Sequence, residues 1–346
     1  MRPLKPDGRI DLEHRAYFLR GSLGSSAIIA ASEGGHVSLV EFGSNSATLQ
    51  RPTMKLRAIS PHPTESLFAY AEGKTGGVLV STLAGEQIAE IKAPSLVDGS
   101  SESLTQGFAD CYFDEGGEFL GLVAPVSEGE CELSLVETKR WSVVQLESLE
   151  DQFGTSSFSF HSTGNPGVIS LWIAAGQDGQ EVIWFKRKGR NFSLEKVDGL
   201  TNCIPPVFAP DGSELLVVDE DNAICRYAFT GMKQLGSPLE SGDEDNPFAE
   251  SLCYLDNQHA LAGTGEGRVF LIDTKNLRIE EEVAIEGHEP RPIGEYYPKL
   301  KNERGLGTDI TWFTKLGNVI VFVFRRDRGT ELQGWTDSLL WYSVKK

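Results

Sequence analysis

Cysteine and histidine are the residues through which this chain would bind zinc or attack a carbonyl, and both are scattered. Cys111, Cys131, Cys203, Cys225 and Cys253 include no CxxC pair, and His14, His36, His62, His161, His259 and His288 stand singly. A zinc site draws on Cys or His at short spacing, so no metal ligand is assigned. Ser-His-Asp chemistry needs a G-x-S-x-G elbow or three groups assembled by the fold. No such elbow occurs, and GSLGSS (21–26) reads as a hairpin turn. His62 in SPHPTES and His161 in FHSTGN occupy corresponding turn positions and read as turn-filling side chains. DEDNA (219–223) and SGDEDNPFAE (241–250) are acidic, but neither matches a D-x-[DN]-x-[DN]-G calcium loop. GTGEG (263–267) falls between strands and not ahead of a helix, which rules out a phosphate loop. No catalytic residue and no cofactor are assigned.

Binding chemistry is better represented. KRKGR (186–190) is a short basic cluster on an expected tight turn. Two long segments near the C-terminal end, EGHEPRPIGEYYPKLKNERGLG (286–307) and RRDRGTELQGWTD (325–337), place Tyr296, Tyr297, Arg325, Arg326, Arg328 and Trp335 outside the repeated strands. Tyr, Trp and Arg dominate interface hot spots, and surplus loops on a rigid scaffold are where function concentrates. These six are the candidate partner-binding residues. The competing reading is that the aromatics pack the irregular loop onto its own unit.

The elements that would carry these loops are strands. A turn rich in Gly, Asp, Asn or Glu is followed by an alternating apolar run, a second turn and another alternating run. GEGRVFLIDTKNLRIEEEVAI (265–285) is the clearest copy, and GGHVSLVEFGSNSATLQ (34–50) and GECELSLVETKRWSVVQLE (129–147) are others. A short strand, a tight turn and a more apolar strand precede each copy, as in ADCYFDEGGEFLGLVAP (109–125) and DITWFTKLGNVIVFVFR (309–325). The units predict seven four-stranded blades over 16–50, 55–92, 108–147, 155–198, 202–238, 250–285 and 308–346 in one domain spanning 1–346. Runs such as IIAA, LVV and VIVFV suit second strands buried on both faces, and the more polar fourth strands suit outer edges. The last unit stops after its third strand. GRIDLEHR (8–15) alternates Ile10 and Leu12 with polar residues and is expected to pair beside 338–344, closing the ring.

Unit length and strand number resemble the WD-repeat (WD40-like) family. In 265–288, Asp273 stands at that family's WD aspartate, Ile272 replaces the tryptophan, and Gly287-His288 matches the GH pair. In 208–231, Tyr227-Ala228 stands in place of WD. No WD dipeptide occurs. The resemblance implies an all-β, seven-bladed β-propeller with four-stranded antiparallel blades and a role as a protein-interaction platform.

Composition narrows the partners. With 32 Lys+Arg against 50 Asp+Glu, a net charge of −18 opposes generic binding to nucleic acid or an anionic membrane. Scattered cysteines and a start without an apolar h-region point to a cytoplasmic protein with reduced thiols, and no apolar run approaches a bilayer span. A non-catalytic scaffold binding a protein partner is the first expectation. The alternatives are a lactonase- or hydrolase-like propeller enzyme, or a small-ligand sensor using the central channel. Residues expected to line that channel are Tyr112, Phe158, Phe160, Tyr254 and Trp312, with Asp110 and Asp309 as the acids.

Overall fold

The computed structural model describes residues 5–14, 16, 18–21, 27–32, 35–42, 46–47, 56–72, 77–92, 108–127, 130–150, 157–162, 168–174, 180–188, 191–197, 206–219, 221–240, 248–264, 267–286, 310–316, 318–326 and 336–344. Every regular element among them is a strand, and the strands form seven four-stranded antiparallel sheets. Strand β1 (Gly8–Asp11) belongs to the last sheet. The first is β2 (Phe18–Gly21), β3 (Ala27–Ala31), β4 (Val37–Glu41) and β5 (Ser46–Ala47). The second is β6 (Leu56–Pro61), β7 (Leu67–Glu72), β8 (Val78–Thr82) and β9 (Gln87–Ile91). β10 (Asp110–Phe113), β11 (Phe119–Ser127), β12 (Glu130–Glu137) and β13 (Ser142–Glu150) make the third. β14 (Ser157–Ser162), β15 (Val168–Ala174), β16 (Gln180–Lys188) and β17 (Asn191–Val197) make the fourth. The fifth holds β18 (Val207–Phe208), β19 (Glu214–Val218), β20 (Ile224–Ala228) and β21 (Lys233–Gln234). The sixth holds β22 (Phe248–Tyr254), β23 (His259–Thr264), β24 (Val269–Asp273) and β25 (Arg278–Glu282). The seventh runs in the order β1, β28 (Thr336–Ser343), β27 (Val319–Arg326) and β26 (Ile310–Leu316).

The chain divides into two compact units, Met1–Ala16 with Val40–Ala47 and Asn202–Lys346, and Tyr17–Leu39 with Thr48–Thr201. Within each, the core lies between successive sheets. In the second unit, Phe119, Val123, Leu133 and Leu135 of one sheet meet Phe160, Leu171, Ile183 and Phe185 of the next. In the first, Cys253, Leu261 and Val269 meet Phe313, Phe322, Phe324 and Leu340. A single sheet cannot cover its own apolar faces, and stacking does it: each buried Leu or Phe is worth roughly 1.5–3 kcal/mol. The second strands are buried on both faces, as Val321, Phe322, Val323 and Phe324 show, each 0% exposed.

The hairpins into the outer strands follow one plan. A residue in the left-handed region precedes the strand: Gly85 (φ 95°), Trp141 (φ 51°), Met232 (φ 47°) and Leu277 (φ 49°). In three sheets the outer strand then carries a β-bulge whose extra residue is Ile88, Val144 or Glu280. A bulge twists an edge and discourages edge-to-edge pairing. The polar outer strand expected from sequence is not found in β13, where Val143, Val144 and Leu146 are 49%, 46% and 56% exposed. Val143 pairs with Val136 and Gln145 with Leu135, so the alternation resets at Val144 and consecutive residues turn outward.

The last sheet takes its fourth strand from the other end of the chain. Gly8, Arg9, Ile10 and Asp11 pair antiparallel with Trp341, Leu340, Leu339 and Ser338, as the alternation in GRIDLEHR predicts. Side chains reinforce the join: Ser338 Oγ donates to Asp11 Oδ1 (2.7 Å), and the Ala16 N–H donates to Asp337 Oδ2 (2.7 Å). The inner turn expected over 325–337 is shorter than the sequence suggests. Arg325 pairs with Asp337 and Arg326 with Thr336, inside β27 and β28. Pairing is a backbone property, and it continues beyond the last apolar side chain.

Candidate functional site

Ser60, Asp110 and Ser251 are buried polar side chains on first strands. Three phenylalanine N–H groups reach across to the preceding sheet. Phe113 donates to Ser60 Oγ (3.0 Å), Phe160 to Asp110 Oδ2 (2.6 Å) and Phe313 to Ser251 Oγ (2.9 Å). A first strand is an edge, so its outward N–H groups need partners from outside the sheet. Asp110 also accepts from the Cys111 N–H (2.8 Å). Burial pushes its carboxyl up to about 6, while Arg20 and the two N–H groups pull it back down.

The tight turns hold a second set. His62 is buried against the edge of Phe113, with ring centroids 4.9 Å apart. Its Nδ1 accepts from the Glu65 N–H (3.0 Å), and its Nε2 donates to the Gly117 carbonyl of the next sheet (3.0 Å). That is the turn-filling role expected of it, extended to a neighbour. Asp114 closes its own turn by accepting from the Phe119 N–H (2.8 Å), and its carboxyl is raised chiefly by burial. Asp273, at the end of β24, accepts from the Lys275 N–H (3.0 Å), the Asn276 N–H (3.1 Å), Asn276 Nδ2 (2.6 Å) and Arg278 Nε (3.2 Å). The Asn276 side chain, its N–H and the Arg278 contact hold this carboxyl down at about 2.

Two arginines stand apart from these braces. Arg20 lies on β2 and Arg57 on β6, both half-buried. Arg20 Nε is shielded from water and has no hydrogen-bond partner. Burial lowers the Arg57 guanidinium below its usual value. Sequence reasoning did not single them out. The available signal was a cation interrupting an apolar first strand, in YFLRG and LRAIS.

Of the candidate partner-binding residues, Tyr296, Tyr297, Arg328 and Trp335 lie outside the described residues, as do the side chains of Arg325 and Arg326. The backbones of those two arginines fall within β27 and not, as expected, outside the repeated strands. Among the expected channel residues, Phe160 and Tyr254 are buried and Tyr112 is half-buried. Asp309 falls outside the described residues, as do the side chains of Phe158 and Trp312 and that of the turn histidine His161. Two cations of the basic KRKGR cluster have acidic partners. Lys186 pairs with Glu195 at 2.5 Å, and Arg187 pairs with Glu118 while covering the Phe119 ring at 5.1 Å. Cys111, Cys131, Cys225 and Cys253 are buried and form no disulfide, and burial pushes the Cys253 thiol up to about 12. Among the described residues no cluster of three metal-ligating side chains occurs, and no helix is long and apolar enough to cross a membrane.

No protein-family model and no curated protein sequence matches the chain. Solved structures do. The β-propeller domain of Cps50 (Swd1) from Myceliophteria thermophila matches with a TM-score of 0.62, covering 98% of this chain and 99% of that one. The fold is a seven-bladed β-propeller. At 10% identity the likeness concerns the fold alone. With 1632 solved chains matching, it identifies a widely used architecture and not an activity. Each sheet is thus a blade, and the bonds from Ser60, Asp110, Ser251 and His62 run between neighbouring blades.

Proposed function

We propose that the chain is a non-catalytic protein-interaction scaffold in which the stacked blades hold binding loops in place. The observation that carries this reading is the use made of the buried polar groups. Among the described residues, Ser60, Asp110, Ser251, His62, Asp114 and Asp273 are buried side chains of the types used in acid–base or metal chemistry, and each is engaged in a brace within or between blades. A general base must reach the substrate proton, whereas Asp110 is 3% exposed and holds a backbone N–H on each oxygen. A cytoplasmic setting is part of the reading and is supported by the four buried thiols, none of them in a disulfide. The partner is a protein, met by the aromatic and arginine residues Tyr296, Tyr297, Arg325, Arg326, Arg328 and Trp335.

The test is affinity capture on the intact chain, identification of the captured protein, and reconstitution with that protein purified. Saturable binding that Trp335→Ala weakens, with circular dichroism unchanged, supports the scaffold. Turnover of lactones or esters, or stoichiometric metal in the purified protein, replaces it with a propeller enzyme.

A further inference from the structure

We propose that β13 is a self-association edge, along which the strand pairs antiparallel with the β13 of a second copy of this chain. An outer strand presents unpaired N–H and C=O groups, which invite another strand unless something blunts them. Other outer strands are blunted. β21 is two residues long, and β9 and β25 end at Ile91 and Glu282, soon after their bulges at Ile88 and Glu280. β17 is covered from the third blade: the Gln145 side chain donates to the Phe192 carbonyl (2.8 Å) and accepts from its N–H (2.9 Å), as a neighbouring strand would. β13 has none of these devices. It is nine residues long and carries Glu147 as the one charge between Ser142 and Leu149. Among the described residues, nothing bonds to its outer edge. Its bulge at Val144 leaves a usable edge, because Gln145 to Glu150 pair without interruption with Leu135 to Glu130, a run as long as a typical strand.

The side chains agree with the backbone. Among the described residues, the exposed large apolar side chains are Ile88, Val143, Val144 and Leu146, and three of the four lie on β13. Valine suits a pleated, half-buried surface. Charge selects the occupant. Lys139 and Arg140 stand in the turn before β13, and Glu147 and Glu150 stand toward its other end. Arg140 is mostly exposed, and its ion pair with Glu137 is long, at 4.0 Å. Two such strands running antiparallel set each basic turn against the acidic end of the other copy, whereas a parallel pair would set like charges together. A register centred on Leu146 places that leucine against its twin and Gln145 opposite Glu147. It also brings Glu150 to the Ser142 end, beside the basic turn, with no like charges face to face. A twofold axis relates the two strands, so every favourable contact occurs twice and the assembly closes at two copies. The interface is separate from the scaffold reading, which concerns a foreign protein and other residues.

The experiment is sedimentation velocity of the full chain over a concentration series up to about 1 mM. Salt at about 150 mM screens the repulsion between two chains of net charge −18. A monomer–dimer equilibrium with no larger species is expected. Leu146→Glu sets two carboxylates at the twofold axis and is expected to abolish the dimer. Leu146 is 56% exposed, so the melting temperature of the monomer should not change. Arg140→Glu alone and Glu150→Lys alone each bring like charges together across the interface and are expected to weaken dimerisation roughly fivefold or more, since each contact occurs twice. The double variant exchanges the two signs and is expected to restore the dimer. If Leu146→Glu fails to fold, the charge reversals carry the test. A monomer throughout the series overturns the pairing. So does a dimer that a folded Leu146→Glu protein retains, or one that the double reversal does not restore. A wild-type chain that stays monomeric while Leu146→Glu abolishes capture of a foreign protein gives the edge to that partner and likewise overturns it.

Discussion

Gly117 shows how closely the blades meet at single residues. Its φ is +69°, and an added Cβ would fall 2.3 Å from Cε1 and Nε2 of His62. Gly117→Ala therefore faces both backbone strain and a collision with a ring held by two hydrogen bonds. A loss of about 2–4 kcal/mol is expected in urea unfolding. In a His62→Ala background the collision disappears, so the same substitution should cost about 1 kcal/mol, the backbone part alone. Equal losses in the two backgrounds would show that the ring is not the obstacle. Asp110 makes a different prediction. Its carboxyl is pushed up to about 6 in the folded chain from an ordinary value of 3.8, first by burial. The folded protein then holds the proton more readily than the unfolded one, and stability falls as pH rises from about 4 to 6. The contribution is on the order of 3 kcal/mol. Asp110→Ser should remove this slope and keep the bond to the Phe160 N–H, because Ser251 makes the same kind of bond to Phe313. Urea midpoints between pH 4 and 7 read the difference directly.

At the scale of elements, β13 is the outlier among the outer strands. It is nine residues long and exposes Val143, Val144 and Leu146, whereas β25 is mostly charged. Gln145, between them, turns inward and pairs like a backbone with Phe192 of the next blade, donating to its carbonyl (2.8 Å) and accepting from its N–H (2.9 Å). Val144→Lys is therefore expected to leave stability within about 0.5 kcal/mol. It should also lower any self-association seen by light scattering, since a lysine at a bulged edge opposes strand addition. A drop in melting temperature of the monomer would mean instead that the valine packs against the chain. The strand pattern was legible because turn residues and period-2 alternation mark each hairpin, and Asp273 stands where the run VFLID meets the expected Lys-Asn turn. The bulges were not legible. One extra residue in a strand such as SVVQLESLE leaves composition unchanged and shifts only the register, which depends on the neighbouring strand. For the same reason Arg57, the extra residue between Leu56 and Ala58, read as an ordinary strand residue, and the braces from Ser60 and Asp110 depend on contacts 53 and 50 residues away.

At the scale of the molecule, the join between the two chain ends links residues more than 300 positions apart in sequence. Ala16 and Asp337 are 321 residues apart, yet share a buried hydrogen bond of 2.7 Å. Such pairing forms late and at high entropic cost, so it should be the part of the fold most sensitive to truncation. β1 covers the edge of β28. Its removal would expose the N–H and C=O groups now paired from Ser338 to Trp341, and would leave the Ser343 N–H without the Asp7 carboxylate that accepts from it at 2.5 Å. Deleting residues 1–14 is accordingly expected to lower the melting temperature by at least about 5 °C and to increase aggregation through the bare edge. The truncated chain should also recover stability when a synthetic peptide covering residues 1–16 is added, in proportion to its concentration, because the peptide binds only the folded form. A truncated protein that melts like the full chain would remove β1 from the forces holding the seventh blade. Recovery with the peptide, and none with a version carrying Ile10→Asp and Leu12→Asp, would show that pairing and burial act together at this join.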